Sequence, residues 1–142
     1  MAGLGFDALV ADRAGLARLH GLGLANGPRI AAAIAALVIG LVLGLLAAGL
    51  FNRAGTNVKP WRTTTSLVTS GPFRWTRNPM YLAFTLIYIG LAIAADSVMT
   101  LVLLIPVLLI IHTQVIAREE RYLEGKFGDE YRSYKARVRR WL

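Results

Sequence analysis

Four polar side chains stand at the two borders of one long apolar segment. Arg77 and Tyr81 lie where the segment begins, and Glu119 and Glu120 follow its end. If the segment folds into a helical hairpin, its two borders come together. An arginine pairs with a carboxylate or phosphate, and a glutamate accepts hydrogen bonds from hydroxyl or ammonium groups. These residues therefore indicate a site for a polar ligand. The alternative is an ion pair between Arg77 and a glutamate that only clamps the base of the hairpin.

The loop before this segment, residues 67–79, offers a second group able to bind a ligand. Pro79 suits the first turn of the next helix, and Asn78 can cap its N-terminus. A helix N-terminus beside Arg77 is favourable for a carboxylate or phosphate. A loop that only connects two helices, with arginines reaching the membrane surface, would give the same pattern.

The sequence excludes several other kinds of site. It has no cysteine, which rules out disulfides, thiolate catalysis and cysteine-ligated metal centres. His20 and His112 are far apart in the chain and lack a cluster of further ligands, so we expect no metal site. Gly21 and Gly23 are not followed by the third glycine of a dinucleotide-binding loop, and there is no GxSxG motif.

Composition indicates a membrane protein. Of the 142 residues 56% are hydrophobic, and the mean hydropathy is +0.53. The apolar residues concentrate in two long blocks that are almost free of charge, as in membrane spans. In a membrane protein a net charge of +8 is explained by basic cytoplasmic segments and attraction to anionic lipids. We therefore expect membrane lipids as partners and no nucleic acid.

The two blocks predict an all-α membrane helix bundle with about three spans and a C-terminal amphipathic helix. The first span covers residues 30–51. The second block is too long for one span and carries Asp96 and Ser97 near its middle, which favours a hairpin with spans at 80–95 and 98–117. Pro106 would kink the last span. Gly40 and Gly44 form a GxxxG pattern that permits close helix contact and could support a homo-oligomer.

The charges predict the domain organisation and the orientation. Residues 1–29 are too polar for a span and could form an interfacial helix, whereas residues 30–142 form a single domain. Loop 52–79 carries five basic residues and no acid, which predicts that this loop and the C-terminus are cytoplasmic and that Asp96 is outside.

The tail, residues 118–142, has an apolar stripe at helical spacing, interrupted by glycines at positions 125 and 128. Gly125 and Gly128 predict two helical pieces, and Asp129 could cap the second. Such a helix could lie on the membrane surface or cover the site as a lid. The stripe consists of Leu123, Phe127, Tyr131, Tyr134, Val138 and Trp141.

Several ordered motifs resemble the isoprenylcysteine carboxyl methyltransferase and phospholipid methyltransferase family, especially its small bacterial members. They are the sequence from Ala54 to Pro60, Gly71-Pro-Phe-Arg, Arg77-Asn-Pro-Met-Tyr81, and the glutamate pair followed by Leu123, Phe127-Gly128, Tyr131 and Tyr134. The resemblance implies a multi-pass enzyme of the bacterial inner membrane that uses S-adenosyl-L-methionine. It also implies a lipophilic methyl acceptor, such as a lipid, that arrives laterally from the bilayer.

The resemblance also assigns site residues. Arg77 and Glu119 would act in catalysis, and the cofactor would be bound by Leu67, Val68, Gly71, Pro72, Arg77, Asn78, Pro79, Tyr81, Glu119 and Glu120. Many family members have histidine where this chain has Asn78. Small members also have a further apolar span near the start, which residues 1–29 do not supply.

The sequence is also compatible with two other functions. Some membrane sterol reductases share a similar C-terminal arrangement, so an NADPH-dependent reductase is one alternative. The phosphates of NADPH would require more arginines than Arg74 and Arg77 near the pocket. The other alternative is a non-enzymatic protein whose basic loop and tail bind anionic lipids.

Overall fold

The computed structural model describes residues 21–55 and 65–142. The interfacial helix considered for the N-terminal segment lies largely outside this range, as does the middle of loop 52–79. Within the described residues the regular structure is helical, and the only β-type pairing is an isolated parallel bridge between Thr76 and Arg139. The predicted all-α class is confirmed.

The first helix, α1, covers Asn26–Arg53 and is longer than the predicted span. At about 1.5 Å per residue its 28 residues extend about 42 Å. Its buried residues are small and recur every seven positions, at Ala33, Gly40 and Ala47. The large apolar side chains of α1 are mostly exposed, which suits a surface that faces lipid.

The small residues of α1 allow close contact with the second helix, α2, which covers Pro79–Ala94. A Cβ atom added at Gly40 would lie 2.9 Å from the carbonyl oxygen of Ala83 and 2.9 Å from Cγ1 of Ile87. Gly44 also faces Ala83, because a Cβ atom added at Gly44 would lie 3.5 Å from the Cβ atom of Ala83. The Gly40 and Gly44 face is therefore occupied within the chain. The close helix contact expected at Gly40 and Gly44 is thus made with α2 of the same chain, and a homo-oligomer through this face stays a prediction.

The predicted turn at Asp96 and Ser97 is present between α2 and helix α3, Val98–Ile110. Ser97 caps α3, because its hydroxyl oxygen accepts a hydrogen bond from the Thr100 N–H at 3.2 Å. The carboxylate of Asp96 lies 2.7 Å from the Arg29 guanidinium and accepts from the Leu22 N–H at 3.0 Å. These contacts tie the turn to the start of α1, so the three helices form an antiparallel bundle.

The third helix continues well beyond the predicted end at residue 117. A π-helical segment, Ile111–Ile116, leads without a break into α4, Ala117–Phe127. Glu119 and Glu120 therefore lie on a helix that extends from the membrane segment. By length and composition α1 and the continuous helix Val98–Phe127 can each cross a membrane, whereas α2 is a shorter apolar helix.

The last helix, α5, covers Asp129–Arg137 and packs on the loop before α2. The break before it lies at Gly128, which has a φ of +53°, whereas Gly125 stays inside α4. Asp129 does not cap α5; its carboxylate instead accepts from Arg132. The tail stripe packs against protein, in a cluster formed by Ala47, Val68, Phe73, Tyr131 and Tyr134 with the partly buried Phe127 and Val138 beside it.

Candidate functional site

A buried carboxylate is the centre of the candidate site. Glu120 lies on α4 and is 6% exposed. Its Oε1 atom lies 2.8 Å from Nη1 of Arg77 and accepts from Nε of Arg140 at 2.9 Å. Its Oε2 atom accepts from Nη2 of Arg140 at 2.6 Å. The fork-shaped guanidinium of Arg140 therefore holds both carboxylate oxygens, which is the strongest geometry for such a pair.

This cluster carries more positive than negative charge. Arg77 and Arg140 share one carboxylate, and the Arg77 side chain is only 10% exposed. Although Nη1 of Arg77 is close to Glu120, both Nε and Nη1 of Arg77 are buried without a properly oriented hydrogen bond among the described residues. Buried cationic donors that make no well-oriented hydrogen bond are costly. The cluster is thus suited to receive an anionic group.

The second glutamate faces a different partner. Because successive helix residues are rotated by about 100°, Glu119 points away from the Glu120 cluster toward α2. Its Oε1 atom accepts a hydrogen bond from the Tyr81 hydroxyl at 2.9 Å. The sequence predicted that the two borders of the hairpin meet, and both the Arg77–Glu120 and the Tyr81–Glu119 contacts confirm it.

Residues 138–142, which we call the C-terminal strap, lie directly on the Arg77 loop. The Arg77 N–H donates to the carbonyl oxygen of Arg139 at 2.9 Å. The Arg140 carbonyl oxygen accepts from the Thr76 hydroxyl at 3.2 Å and from the side-chain amide of Asn78 at 2.8 Å. The strap is thus fixed over the predicted site by backbone as well as by side-chain contacts.

These contacts correct the role predicted for Asn78. The residue does precede α2, but its side chain makes no capping hydrogen bond to that helix. Its amide instead donates to the Arg140 carbonyl oxygen. The observed role requires only an N–H donor, which a histidine ring also supplies. The asparagine that stands where the family resemblance leads us to expect histidine is therefore compatible with this contact.

His112 is part of the site, although sequence reasoning missed it. Its Nδ1 atom lies 3.1 Å from the indole Nε1 of Trp141, and its Nε2 atom lies 2.8 Å from Nη1 of Arg140. The imidazole and indole rings are nearly parallel, at 12°. A lone histidine in an apolar block gave no signal, and Arg140 looked like one more basic residue of the tail. The spacing of eight residues between His112 and Glu120, about two helical turns, is the one available hint.

The remaining predicted site residues have packing roles in the described contacts. Pro79 is buried at the start of α2, Val68 belongs to the cluster under α5, and Leu67 packs against it. Gly71 and Pro72 begin a 3-10 turn, Gly71–Arg74, on the α1 side of the site. There they line a groove of about 460 Å³ together with Leu45, Leu46, Gly49, Leu50, Arg53, Arg74 and Trp75.

Tyr134 supports the loop that carries Arg77. Burial raises the pKa of its hydroxyl above the usual range, so the group stays protonated. The hydroxyl donates to the carbonyl oxygen of Phe73 at 2.7 Å. Helix α5 therefore positions the loop from one side, while the strap holds it from the other.

Most of the chain matches the model of a known protein family. The model of a family described as PEMT, phospholipid methyltransferase, matches residues 28–130, a stretch that includes Arg77, Tyr81 and both glutamates. An uncharacterized protein of Haemophilus influenzae is 48% identical over 63 residues, which are 44% of this chain and the whole of that protein. No solved structure matches the chain. The family resemblance predicted from the motifs is confirmed.

Proposed function

Because the chain belongs to the phospholipid methyltransferase family, we propose that it transfers a methyl group from S-adenosylmethionine to a lipid or another membrane-soluble acceptor. Membership of this family indicates a membrane methyltransferase of the lipid-modifying type. The observation that carries the proposal is the buried cluster of Arg77, Glu120 and Arg140 beside the Tyr81–Glu119 pair. A site where apolar helices end is accessible to an acceptor that diffuses in the bilayer.

The residues present fit the cofactor. S-adenosylmethionine carries a carboxylate, an ammonium group and ribose hydroxyls. The excess positive charge of the cluster, in which two guanidinium groups share one carboxylate, is complementary to the carboxylate of the cofactor. The carboxylate of Glu119 can accept from the ammonium group or from a ribose hydroxyl. Adjacent positive and negative groups thus match the two charges of an amino-acid portion.

The bound cofactor would supply a methyl group already activated by the sulfonium. The protein then contributes positioning and exclusion of water, which are the main requirements of an in-line displacement. Glu119 and the cluster around Glu120 would hold the polar parts of the ligand. The strap, fixed to Thr76 and Asn78, would close the site on the cytoplasmic side. These roles require no metal ligand and no thiol.

A ligand titration tests this function. We expect the purified protein in detergent to bind S-adenosylhomocysteine, the product of methyl transfer, and not NADPH. Isothermal titration calorimetry measures both affinities. Glu119→Gln keeps the size of the side chain but removes the charge, and should weaken binding of the product about 10-fold or more, as expected for a charge-assisted hydrogen bond.

A matched control is Glu124→Gln, because Glu124 pairs with Lys135 away from the cluster and both side chains are partly exposed. This variant should bind the product normally. Binding of NADPH alone would favour the reductase, and binding of neither ligand would favour a protein that only interacts with anionic lipid.

We further propose a three-span topology in the bacterial inner membrane, with residues 52–79 and the C-terminus in the cytoplasm. The antiparallel arrangement of α1, α2 and α3 supports three crossings, although α2 is short. The basic residues lie at the end of the bundle that holds the site, whereas the opposite end carries the Arg29–Asp96 pair. Such an asymmetry directs the basic end to the cytoplasm.

Single cysteines can test the topology, since the natural chain has none. Ala95 and Ser133 are exposed, at opposite ends of the bundle. In intact cells an impermeant maleimide should label Ala95→Cys and not Ser133→Cys, whereas both should react after the cells are lysed. Labelling of Ser133→Cys in intact cells, with protection of Ala95→Cys, would reverse the proposed orientation.

A further inference from the structure

The two ring nitrogens of His112 face two hydrogen-bond donors. The indole N–H of Trp141 points at Nδ1 from 3.1 Å, and an Arg140 guanidinium nitrogen lies 2.8 Å from Nε2. A neutral imidazole accepts at one nitrogen and donates at the other, and an imidazolium accepts at neither. No protonation state that a histidine normally adopts satisfies both contacts. One of the two donors therefore lacks an acceptor in this arrangement.

The donor left over can be identified from the geometry. Both groups are donors only, but the indole N–H is the single donor of Trp141, whereas Arg140 already donates twice to Glu120, so the less costly assignment gives Nδ1 to Trp141. With Nδ1 as the acceptor, Nε2 carries the proton and faces Nη1 of Arg140. Arg140 uses Nε and Nη2 for Glu120, so Nη1 is the part of its guanidinium not committed to the carboxylate.

The surrounding charge favours an anion at these two donors. Arg77 and Arg140 share the single carboxylate of Glu120. The Arg140 side chain is 30% exposed, whereas that of Arg77 is 10% exposed. Arg140 is therefore the arginine that a ligand can reach, whereas Arg77 is the more buried of the two and pairs with the same carboxylate.

We propose that His112 and Arg140 bind the carboxylate of the amino-acid portion of the cofactor. One carboxylate offers acceptors both for the Nε2–H of His112 and for Nη1 of Arg140, which removes the conflict between these donors. The inference rests on the proposed function, because it takes S-adenosylmethionine as the cofactor. It assigns to the site two residues, on the π-helical segment and on the C-terminal strap, that the family motifs do not contain.

The test compares two ligands that differ by one group, S-adenosylhomocysteine and its decarboxylated analogue. Calorimetry gives the ratio of their affinities without any need for turnover. The wild-type protein should prefer the carboxylate-bearing ligand at least about 10-fold, as expected for charge-assisted hydrogen bonds. Arg140→Gln and, separately, His112→Phe should each bring this ratio close to one, mainly by weakening the binding of S-adenosylhomocysteine.

Arg139→Gln is the matched control. Arg139 is the neighbouring exposed arginine, and only its backbone oxygen contacts the site. This variant should keep the wild-type ratio. His112→Phe preserves an aromatic ring beside Trp141 and leaves the Arg140–Glu120 pair intact, so it tests the assignment even if Arg140→Gln fails to fold.

The outcomes separate the inference from the proposed function. If the His112 and Arg140 variants lost affinity for both ligands equally, these residues would have a purely structural role, and the inference would be overturned. Retention of the wild-type ratio in both variants would overturn it as well. In either case the wild-type protein would still bind S-adenosylhomocysteine, and the proposed function would stand. A wild-type protein that binds neither ligand would overturn the function and the inference together.

Discussion

Replacing Glu120 by glutamine is expected to destabilise the protein by about 3–5 kcal/mol, the usual cost of breaking a buried ion pair by removing one partner. The side chain is 8% exposed and lies between two guanidinium groups. Once the negative charge of Glu120 is removed, Arg77 and Arg140 repel each other in a largely buried environment. The midpoint of thermal unfolding in detergent measures the effect.

Two further variants make this result specific. Glu124→Gln breaks a pair with Lys135 whose side chains are 35–41% exposed, and should cost no more than about 1 kcal/mol. Combining Glu120→Gln with Arg77→Met removes one of the two cations and should recover part of the lost stability. If Glu120→Gln were as stable as Glu124→Gln, the cluster would contribute little to the fold.

Removal of the C-terminal strap, residues 138–142, is expected to reduce affinity for S-adenosylhomocysteine about 10-fold to 100-fold, the equivalent of losing charge-assisted contacts. The deletion takes away Arg140 and the backbone oxygens that hold Thr76, Arg77 and Asn78. It leaves the helices and the buried Tyr131 and Tyr134 in place. Calorimetry of the truncated protein, after its membrane insertion has been checked by fractionation, measures the effect.

The strap prediction has an internal control in the last residue. Leu142 is 71% exposed, so deletion of this residue alone should leave affinity unchanged. A truncation at residue 137 that inserts and binds the product as well as the full chain would rule out a role of the strap in closing the site. The tail would then serve only as an anchor on the loop and the membrane.

The features that follow from local sequence were predictable. Uncharged apolar runs predicted the helices, and the short polar interruption at Asp96 and Ser97 predicted the turn. Since a hairpin brings its ends together, the meeting of Arg77 with the glutamates also followed. What local pattern could not decide is which glutamate faces which partner. That depends on the rotation of α4, which directs Glu120 to Arg77 and Glu119 to Tyr81.

The features that depend on the path of the tail were not predictable. Arg140 reaches His112 across 28 residues, and no spacing rule connects a strap to a π-helical segment. Asn78 was expected to cap α2, but its side-chain amide instead donates a hydrogen bond to the carbonyl oxygen of Arg140. Likewise Gly125 was expected to end a helix. Only Gly128 does so, because it alone of the two adopts the left-handed backbone.

The shortness of α2 has a consequence for the surrounding bilayer. Its 16 residues extend about 24 Å, several ångströms less than a typical hydrocarbon core of about 30 Å. A bilayer relieves such hydrophobic mismatch by local thinning. If α2 crosses the bilayer as proposed, we expect headgroups beside it to be drawn inward, toward the level of Tyr81 and Arg77 at the end that holds the site. Membrane thickness would then set how deeply a lipid-borne acceptor must descend to meet the methyl donor.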